Sequence, residues 1–372
     1  MTDPSHPHID EAIRLMMRFA DRTGLISERP QQRYLWSDAF AVCNFLGIAR
    51  TTAEERYTEL ALRLVDRAHH TLGKHRIDDR RTGWISGLGE KEGESHPTRG
   101  GLRIGKKLPE RSAGEPFDEQ LEWDRDGQYF HYLTKWMHAL DQVARSTKQP
   151  RFNLWARELA QAAYKAFSYQ PRGASPPCLV WKMSIDLSRP LVPLMGQHDP
   201  LDGFVTCVQL QRTAATLGAG LDGPSLKEEA SGFASMLESG RWASADPLGI
   251  GGLLMDASHL EQHADLLRRV LAAALEGLQS YAQQDDLRLP ASRRLAFREL
   301  GLAIGLHAIE SLPQLSRSSE ARAPLQALQP FVSLGSTIES FWLDPAHREA
   351  STCSEHCDIN EVMLATSLLP EG

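Results

Sequence analysis

The sequence predicts an all-α fold with small β insertions, and the spacing of its apolar residues carries this prediction. Apolar residues recur at the i, i+3, i+4, i+7 positions of an amphipathic helix, most clearly in 258–284. The same spacing predicts further helices at about 9–20, 37–49, 52–72, 126–146, 152–168, 202–217, 225–239, 292–311, 320–332 and 358–368. Strand candidates are limited to 24–27, 82–86 and 179–187, which are too few and too separated for a classical sheet.

Six predicted helices share a polar start and an apolar body rich in small residues. They begin near residues 37, 126, 202, 248, 297 and 358, and a more amphipathic helix follows each of them. Irregular spacing of such helical hairpins favours a closed ring over an open solenoid, whose repeats would be more regular. We therefore predict an (α/α)6 toroid in which residues 1–372 form a single domain.

One long insertion interrupts this pattern at residues 87–119. It contains seven glycines and mixed charges and has no apolar periodicity. Loops of this length inside a compact domain commonly cover a binding site or are plain insertions. Both alternatives stay open, a lid over a pocket mouth and a flexible insertion.

Composition and charge narrow the class of protein. The 372 residues carry 41 basic and 48 acidic side chains, a net charge of −7, which gives no reason to expect a nucleic acid or an anionic membrane as partner. There is no apolar run of membrane-spanning length and no apolar signal-peptide core near the N-terminus, so we expect a cytoplasmic protein. A homo-oligomer is possible.

The cysteines indicate neither a disulfide framework nor a metal site. The five cysteines are odd in number and scattered. Cys353, His356 and Cys357 lie close together, but zinc would need a further ligand and there is no second cysteine pair. We expect reduced thiols, no metal and no cofactor.

A local motif adds a resemblance to a known superfamily. Residues 123–128 read Trp-Asp-Arg-Asp-Gly-Gln, which is similar to the Trp-x-Arg-Gly-Gln turn of the unsaturated glucuronyl hydrolases. Together with the six hairpins, the chain resembles the six-hairpin toroid superfamily, which also includes N-acylglucosamine 2-epimerase-like sugar isomerases. The resemblance implies the fold and a carbohydrate substrate. Asp126 shifts the register of the motif, so no catalytic residue is carried over.

Segment 122–136 is the richest in chemistry-bearing residues. If its helix begins near Asp126, then Gln128, His131, Tyr132 and Lys135 lie on or near one face. That face is too polar for an ordinary core, so it lines a pocket or faces solvent. In a pocket, His131 would act as acid or base, and Tyr132 or Lys135 would bind a hydroxyl or carboxylate.

Other helix starts contribute further candidates, because the inner-helix starts of a toroid converge at one end. Asp199 precedes Pro200 and is most simply a helix N-cap. The predicted catalytic residues are Asp38, Asp124, Asp126, His131, Asp202 and His356. The predicted substrate-binding residues are Trp36, Trp123, Gln128, Tyr132, Lys135, Trp181, His198, Arg298 and Glu299. Tryptophan rings stack on sugars and carboxylates bind hydroxyls or exchange protons, so this set suits a saccharide.

Three functions remain open on the sequence alone. A glycoside hydrolase acting on a small intracellular saccharide would pair Asp124 or Asp126 with Asp38 or Asp202. A sugar epimerase or isomerase would use His131 with His356 to move a proton beside a carbonyl. The third function is a non-catalytic helical scaffold for a protein partner. Residues 100–107 nearly match a phosphate-binding loop, but Lys107 replaces the required Ser or Thr, so no such loop is predicted.

Overall fold

The computed structural model describes residues 8–171, 177–194, 196–218, 223–238, 240–310, 312 and 319–369. The chain divides into two compact units, which are considered separately below. The central unit comprises residues 20–49 and 54–239, and the C-terminal unit comprises residues 1–19, 50–53 and 240–372. The single toroid domain and the lid role of 87–119 stay predictions.

Helices dominate the described chain. The helices up to the end of the central unit are α1 (Ile9–Arg22), α2 (Leu35–Thr52), α3 (Glu55–Leu72), α4 (Glu90–Ser95), α5 (Glu119–Asp124), α6 (Phe130–Thr147), α7 (Pro150–Phe167), α8 (Asp199–Thr216) and α9 (Lys227–Met236). The later helices are α10 (Pro247–Ala257), α11 (Ala264–Ala282), α12 (Ala296–Glu310), α13 (Ser319–Leu328), α14 (Ser333–Leu343), α15 (Pro345–Arg348), α16 (Ser351–Ser354) and α17 (Cys357–Leu368). Every helix that the apolar spacing predicted is present, whereas α4, α5, α14, α15 and α16 lie outside the predicted set.

Helices α6 and α7 show how the central unit is built. The buried side of α6 carries Leu133, Trp136 and Leu140, which recur at helical spacing. Lys148 adopts a left-handed conformation after α6, and Pro150 occupies the first turn of α7, where its missing N–H costs nothing. The two helices therefore form a tight hairpin whose apolar sides pack together.

Two small sheets join these helices. Strand β1 (Gln128–Tyr129) pairs antiparallel with β4 (Lys182–Met183), which pairs with β5 (Pro190–Val192). Strand β2 (Ser168–Tyr169) pairs with β3 (Cys178–Leu179). The strand predicted at 179–187 is thus present in short pieces.

The other two predicted strands are absent. Segment 24–27 forms a turn followed by bends, and in 82–86 only Trp84 makes a single bridge, to Lys74. The prediction that the helix at 126–146 begins near Asp126 is also wrong. The helix begins at Phe130, because Gly127 has φ +150° and the next two residues belong to β1.

The C-terminal unit is packed around small residues. A Cβ added at Gly251 would collide with the Gly301 carbonyl oxygen, and one at Gly305 would come within 2.5 Å of the Gly251 carbonyl oxygen. Helices α10 and α12 therefore approach closely through glycines, as the Gly-rich sequence of α12 suggested. None of the described helices is long and apolar enough to cross a membrane. None of the five cysteines, all of which lie in the described ranges, forms a disulfide bond.

Candidate functional site

Asp126 is a carboxylate of the central unit that is hydrogen-bonded on both of its oxygen atoms. It is completely buried, in the loop before β1. Its carboxylate accepts hydrogen bonds from Arg103 Nη1 (2.6 Å), Arg76 Nη1 (3.3 Å) and the backbone N–H groups of Gly105 (3.0 Å), Lys106 (3.3 Å) and Gly127 (3.0 Å). A carboxylate with so many donors is held in one orientation, and its oxygen atoms are occupied. This geometry favours a positioning role over acid or base chemistry.

Gln128 is also a structural link, because it lies in β1 before the helix rather than on the helix face predicted for it. Its side-chain amide donates hydrogen bonds to the carbonyl oxygens of Gly100 and Ile185, and it accepts one from the N–H of Leu102. It is fully buried. The polar face predicted on α6 therefore shrinks to His131, Tyr132 and Lys135.

His131 lies in the first turn of α6 against an indole. Trp181 Nε1 donates a hydrogen bond to His131 Nδ1 at 3.2 Å, and the two rings are stacked. Because Nδ1 accepts this bond, neutral His131 carries its proton on Nε2. Burial, assisted by the Lys135 ammonium, lowers the pKa of His131 to about 3. His131 is thus a hydrogen-bond donor rather than a base at neutral pH.

Two aspartates lie one turn apart at the start of α8, and Asp202 contacts α6. Asp202 Oδ2 accepts hydrogen bonds from Thr134 Oγ1 (2.6 Å) and Lys135 Nζ (2.9 Å). Burial raises the pKa of Asp202, but the Lys135 ammonium and these hydrogen bonds outweigh it and lower the pKa overall. We call His131, Thr134, Lys135, Asp199 and Asp202 the α6–α8 site.

The surroundings of Asp199 shift its pKa in the opposite direction. It is the first residue of α8 rather than its N-cap, and it is buried. Its Oδ2 atom has no hydrogen-bond partner among the described residues. Burial, with the neighbouring Asp202 charge, raises the pKa of Asp199 to about 7. An acid that holds its proton near neutral pH therefore stands beside an ionised carboxylate.

An aromatic cluster adjoins this site. Its members are Tyr34, Trp36, Tyr129, Tyr132 and Trp181. The Tyr34 and Tyr132 hydroxyl groups are hydrogen-bonded at 2.5 Å, and burial raises the pKa of both phenols, so both stay protonated at neutral pH. The buried Trp36 Nε1 has no hydrogen-bond partner among the described residues. The cluster combines ring faces with an unused donor, which suits a ligand with apolar faces and hydroxyl groups.

The remaining predicted residues of the central unit are less suited to chemistry. Asp38 is fully buried beside Arg33, with 3.3 Å between Oδ1 and Nη1. Asp124 is exposed at the end of α5. Trp123 is 48% exposed and meets Trp181 edge to face. His198 is the half-buried N-cap residue of α8.

Three predicted residues belong to the C-terminal unit. Glu299 is buried and accepts hydrogen bonds from Arg294 Nε (2.8 Å) and Nη2 (2.6 Å) and from Trp342 Nε1 (2.8 Å). Arg298 is exposed and pairs with Asp246 at 2.6 Å, and His356 is exposed at the start of α17. The geometry of Glu299 indicates a structural ion pair. Convergence of these three residues with those of the central unit stays a prediction.

Sequence reasoning missed Asp199 as an acid and left Tyr34 and Tyr129 out of the site. The spacing of Asp199 and Asp202 does place two carboxylates on one side of a helix. However, Asp199 is followed directly by Pro200, and an Asp-Pro pair favoured a helix N-cap for Asp199. Across the described ranges, no three His, Cys, Asp or Glu side chains are grouped so as to hold a metal ion.

Comparisons with known proteins rest on structure alone. No protein-family profile and no curated protein matches the chain. The chain is similar to a D-mannose isomerase (11% identity, TM-score 0.52, 93% of this chain and 89% of that one). It is also similar to a family 76 glycoside hydrolase from a bovine Bacteroides thetaiotaomicron strain (10% identity, TM-score 0.56, 97% of this chain and 76% of that one). A third similar structure is a GH76 α-mannanase from Bacteroides thetaiotaomicron (8% identity, TM-score 0.55, 97% of this chain and 95% of that one). At these identities the likeness shows the fold, and it confirms the predicted (α/α)6 toroid class.

Proposed function

We propose that this protein is a glycoside hydrolase acting on a small saccharide, with Asp199 and Asp202 as its two carboxyl groups. The observation that carries the proposal is the opposite shift of their pKa values: that of Asp199 is raised to about 7, and that of Asp202 is lowered. Paired carboxyl groups with separated pKa values are the recurring machinery of glycoside hydrolysis. Asp202 was a sequence candidate; Asp199 replaces Asp124 and Asp126 as its partner, and Asp38, the alternative to Asp202, has no part in the proposal.

The two residues have distinct roles in this reaction. Asp199 donates its proton to the glycosidic oxygen as the bond from that oxygen to the anomeric carbon breaks. Asp202, kept ionised by Lys135, stabilises the positive charge that develops on the sugar ring. The Asp199 carboxylate then accepts a proton from the water that attacks the anomeric carbon, which restores the acid.

Neighbouring side chains would bind the sugar. The rings of Tyr129 and Trp181 lie 5.4 Å apart between centroids, and each contacts the His131 ring. Such rings stack on the apolar face of a sugar, while His131 Nε2–H and Trp36 Nε1–H can donate to hydroxyl oxygens. The toroid fold shared with two GH76 structures agrees with a carbohydrate substrate, and fold by itself does not fix the reaction.

A sugar isomerase is the second candidate, and His131 is the observation that favours it. A neutral imidazole with its proton on Nε2 can polarise a sugar carbonyl by donating a hydrogen bond to its oxygen. One solved structure with this fold is a D-mannose isomerase. Because the pKa of His131 is about 3, it would act in such a reaction as donor and not as the base of a histidine pair.

One experiment separates these functions. The purified protein is incubated in D2O with a panel of mono- and disaccharides, neutral and acidic, and followed by NMR. New reducing ends without exchange support hydrolysis, and they should be lost in Asp199→Asn while the exposed Asp124→Asn retains them. Deuterium entering a sugar carbon supports the isomerase instead. Binding of a protein partner with neither reaction and no saccharide binding would support the scaffold.

A further inference from the structure

Lys106 is a cation of the Gly-rich insertion, and no counter-ion among the described residues is in contact with it. Its side chain is half-buried, and Nζ lies 5.4 Å from the centre of the Tyr34 ring. Within the described part of the chain, Nζ makes no hydrogen bond or ion pair. The Tyr34 ring offers the ammonium a cation–π contact, which is weaker than a close carboxylate.

The backbone around Lys106 is fixed by Asp126. The N–H groups of Gly105 and Lys106 both donate to Asp126 Oδ1, and the Lys106 carbonyl oxygen accepts a hydrogen bond from Arg76 Nη1 at 2.7 Å. Gly105 has φ +91°, and a Cβ there would collide with the Arg33 carbonyl oxygen. The loop is therefore pre-organised, and the Lys106 side chain leaves it beside the aromatic cluster.

The buried carboxylates near Lys106 form ion pairs with other cations. Asp126 pairs with Arg103 and Arg76. Glu122 Oε1 lies 2.9 Å from Lys182 Nζ, and its Oε2 lies 2.9 Å from Arg111 Nε. Asp124 is exposed to solvent.

The ammonium group of Lys106 therefore has no close carboxylate among the described residues. Burial lowers its pKa, and Asp124 and Asp126 only partly oppose this effect. A half-buried ammonium without a close counter-ion gains from any anion that reaches it.

Ring contacts connect Lys106 with the α6–α8 site. The Tyr34 and Tyr132 ring centroids are 5.6 Å apart, and Tyr132 lies 4.9 Å from the His131 ring. Lys106 thus contacts the aromatic cluster at Tyr34, and His131 of the α6–α8 site contacts it at Tyr129, Tyr132 and Trp181. A short saccharide stacked along these rings would reach both.

We propose that Lys106 binds an anionic substituent, a carboxylate or a phosphate, of the saccharide that the α6–α8 site receives. This inference rests on the proposed function, since it names the substrate class for the same site. The anion would accept a charge-assisted hydrogen bond from Nζ, and the tyrosine hydroxyl groups lie within the same cluster. Residues 100–107 would then contribute through one side chain and not through a phosphate-binding loop.

Calorimetric titration of the full-length protein tests the proposal. The probes are glucose, glucuronate and glucose 6-phosphate, the corresponding mannose series, and inorganic phosphate alone. We expect at least one acidic sugar to bind about tenfold or more tightly than its neutral counterpart. A response to the sugar acid alone identifies a carboxylate site, and a response to the sugar phosphate identifies a phosphate site.

Variants of Lys106 and Lys107 test whether the preference for acidic sugars depends on Lys106. Lys106→Gln should abolish the preference for acidic sugars and leave neutral-sugar affinity unchanged, whereas Lys106→Arg should keep part of it. Lys107→Gln is the matched control, because Lys107 is adjacent and exposed, and it should behave as wild type. Equal binding of acidic and neutral sugars by wild type, no binding of acidic sugars, or equal losses in the two glutamine variants would overturn the proposal.

The two proposals fail in different ways. If neutral glycosides are cleaved as fast as acidic ones, the anion site is wrong and the hydrolase stands. If acidic sugars bind through Lys106 but no glycoside is cleaved, the anion site stands and the hydrolase is wrong.

Discussion

Asp126 and Asp199 are both buried aspartates of the central unit, but their surroundings differ. The Asp126 carboxylate accepts hydrogen bonds from two guanidinium groups and three backbone N–H groups. Asp199 has a carboxyl oxygen with no hydrogen-bond partner in the described chain and stands next to another carboxylate. The first environment occupies the oxygen atoms of the carboxylate and fixes its orientation, whereas burial and the Asp202 charge in the second stabilise the protonated form of Asp199.

This difference separates a structural carboxylate from a reactive one. A carboxylate whose oxygen atoms already accept hydrogen bonds from five donors, such as Asp126, has no lone pair left for a substrate. Asp199, by contrast, keeps its proton near neutral pH and can transfer it. Substitutions at the two positions should therefore have opposite consequences for stability and activity.

The largest effect on stability is expected for Asp126→Asn. The change leaves Arg103 buried without its charge partner, and breaking such a pair costs about 3–5 kcal/mol. The free energy of unfolding, measured with urea, checks this expectation. Exposed Asp124→Asn is the control, and it should change stability by less than about 0.5 kcal/mol. Equal stabilities of the two variants would contradict the structural role of Asp126.

Asp199→Asn should give the reverse result. The amide cannot donate a proton to the leaving group, so turnover of a cleaved glycoside should fall about 10²- to 10⁴-fold. Stability should be unchanged or raised, because the amide replaces an acid that folding keeps protonated. Turnover and urea unfolding measured on the same preparation test both halves. Full activity in this variant would remove Asp199 from the reaction.

The pH dependence sharpens the comparison. The pKa of Asp199 is about 7 in the folded protein against an ordinary 3.8, so the folded state binds the extra proton between these values. This contribution to stability is complete below pH 4 and is lost as the pH rises towards 7, at no more than about 1.4 kcal/mol per pH unit. The difference in unfolding free energy between wild type and Asp199→Asn should show this slope. A pH-independent difference would contradict the raised pKa.

The smallest effect concerns His131. Trp181→Phe removes the indole N–H that occupies Nδ1, so the pKa of His131 should rise above about 3. His69 is the internal reference, since Trp136 Nε1 donates to its Nε2 at 3.1 Å and burial lowers its pKa to about 3 as well. Imidazole ¹⁵N NMR of the variant should show only His131 taking up protons earlier as the pH falls. Parallel titration of both rings would contradict this.

Much of the fold could be predicted from the sequence, for a physical reason. Helix formation depends on local spacing of apolar residues, which is legible in α6, α11 and α17. The start of α6 was misplaced by four residues because Asp126 resembles a cap locally, while its true partners, Arg76 and Arg103, are distant in sequence. Strands 24–27 and 82–86 failed because short apolar runs carry little information without a pairing partner.

The sequence by itself determined the helical class, the hairpin pattern and the concentration of aromatic and polar residues in 123–136. Only the tertiary structure decided which carboxyl groups have hydrogen-bond partners on both oxygen atoms and which do not. Three features of the fold set these environments. They are burial, contact with guanidinium groups that are remote in sequence, and the proximity of Asp202 to Asp199. Charge interactions act through space, so residue type and spacing name the candidates, and the fold assigns each candidate its chemistry.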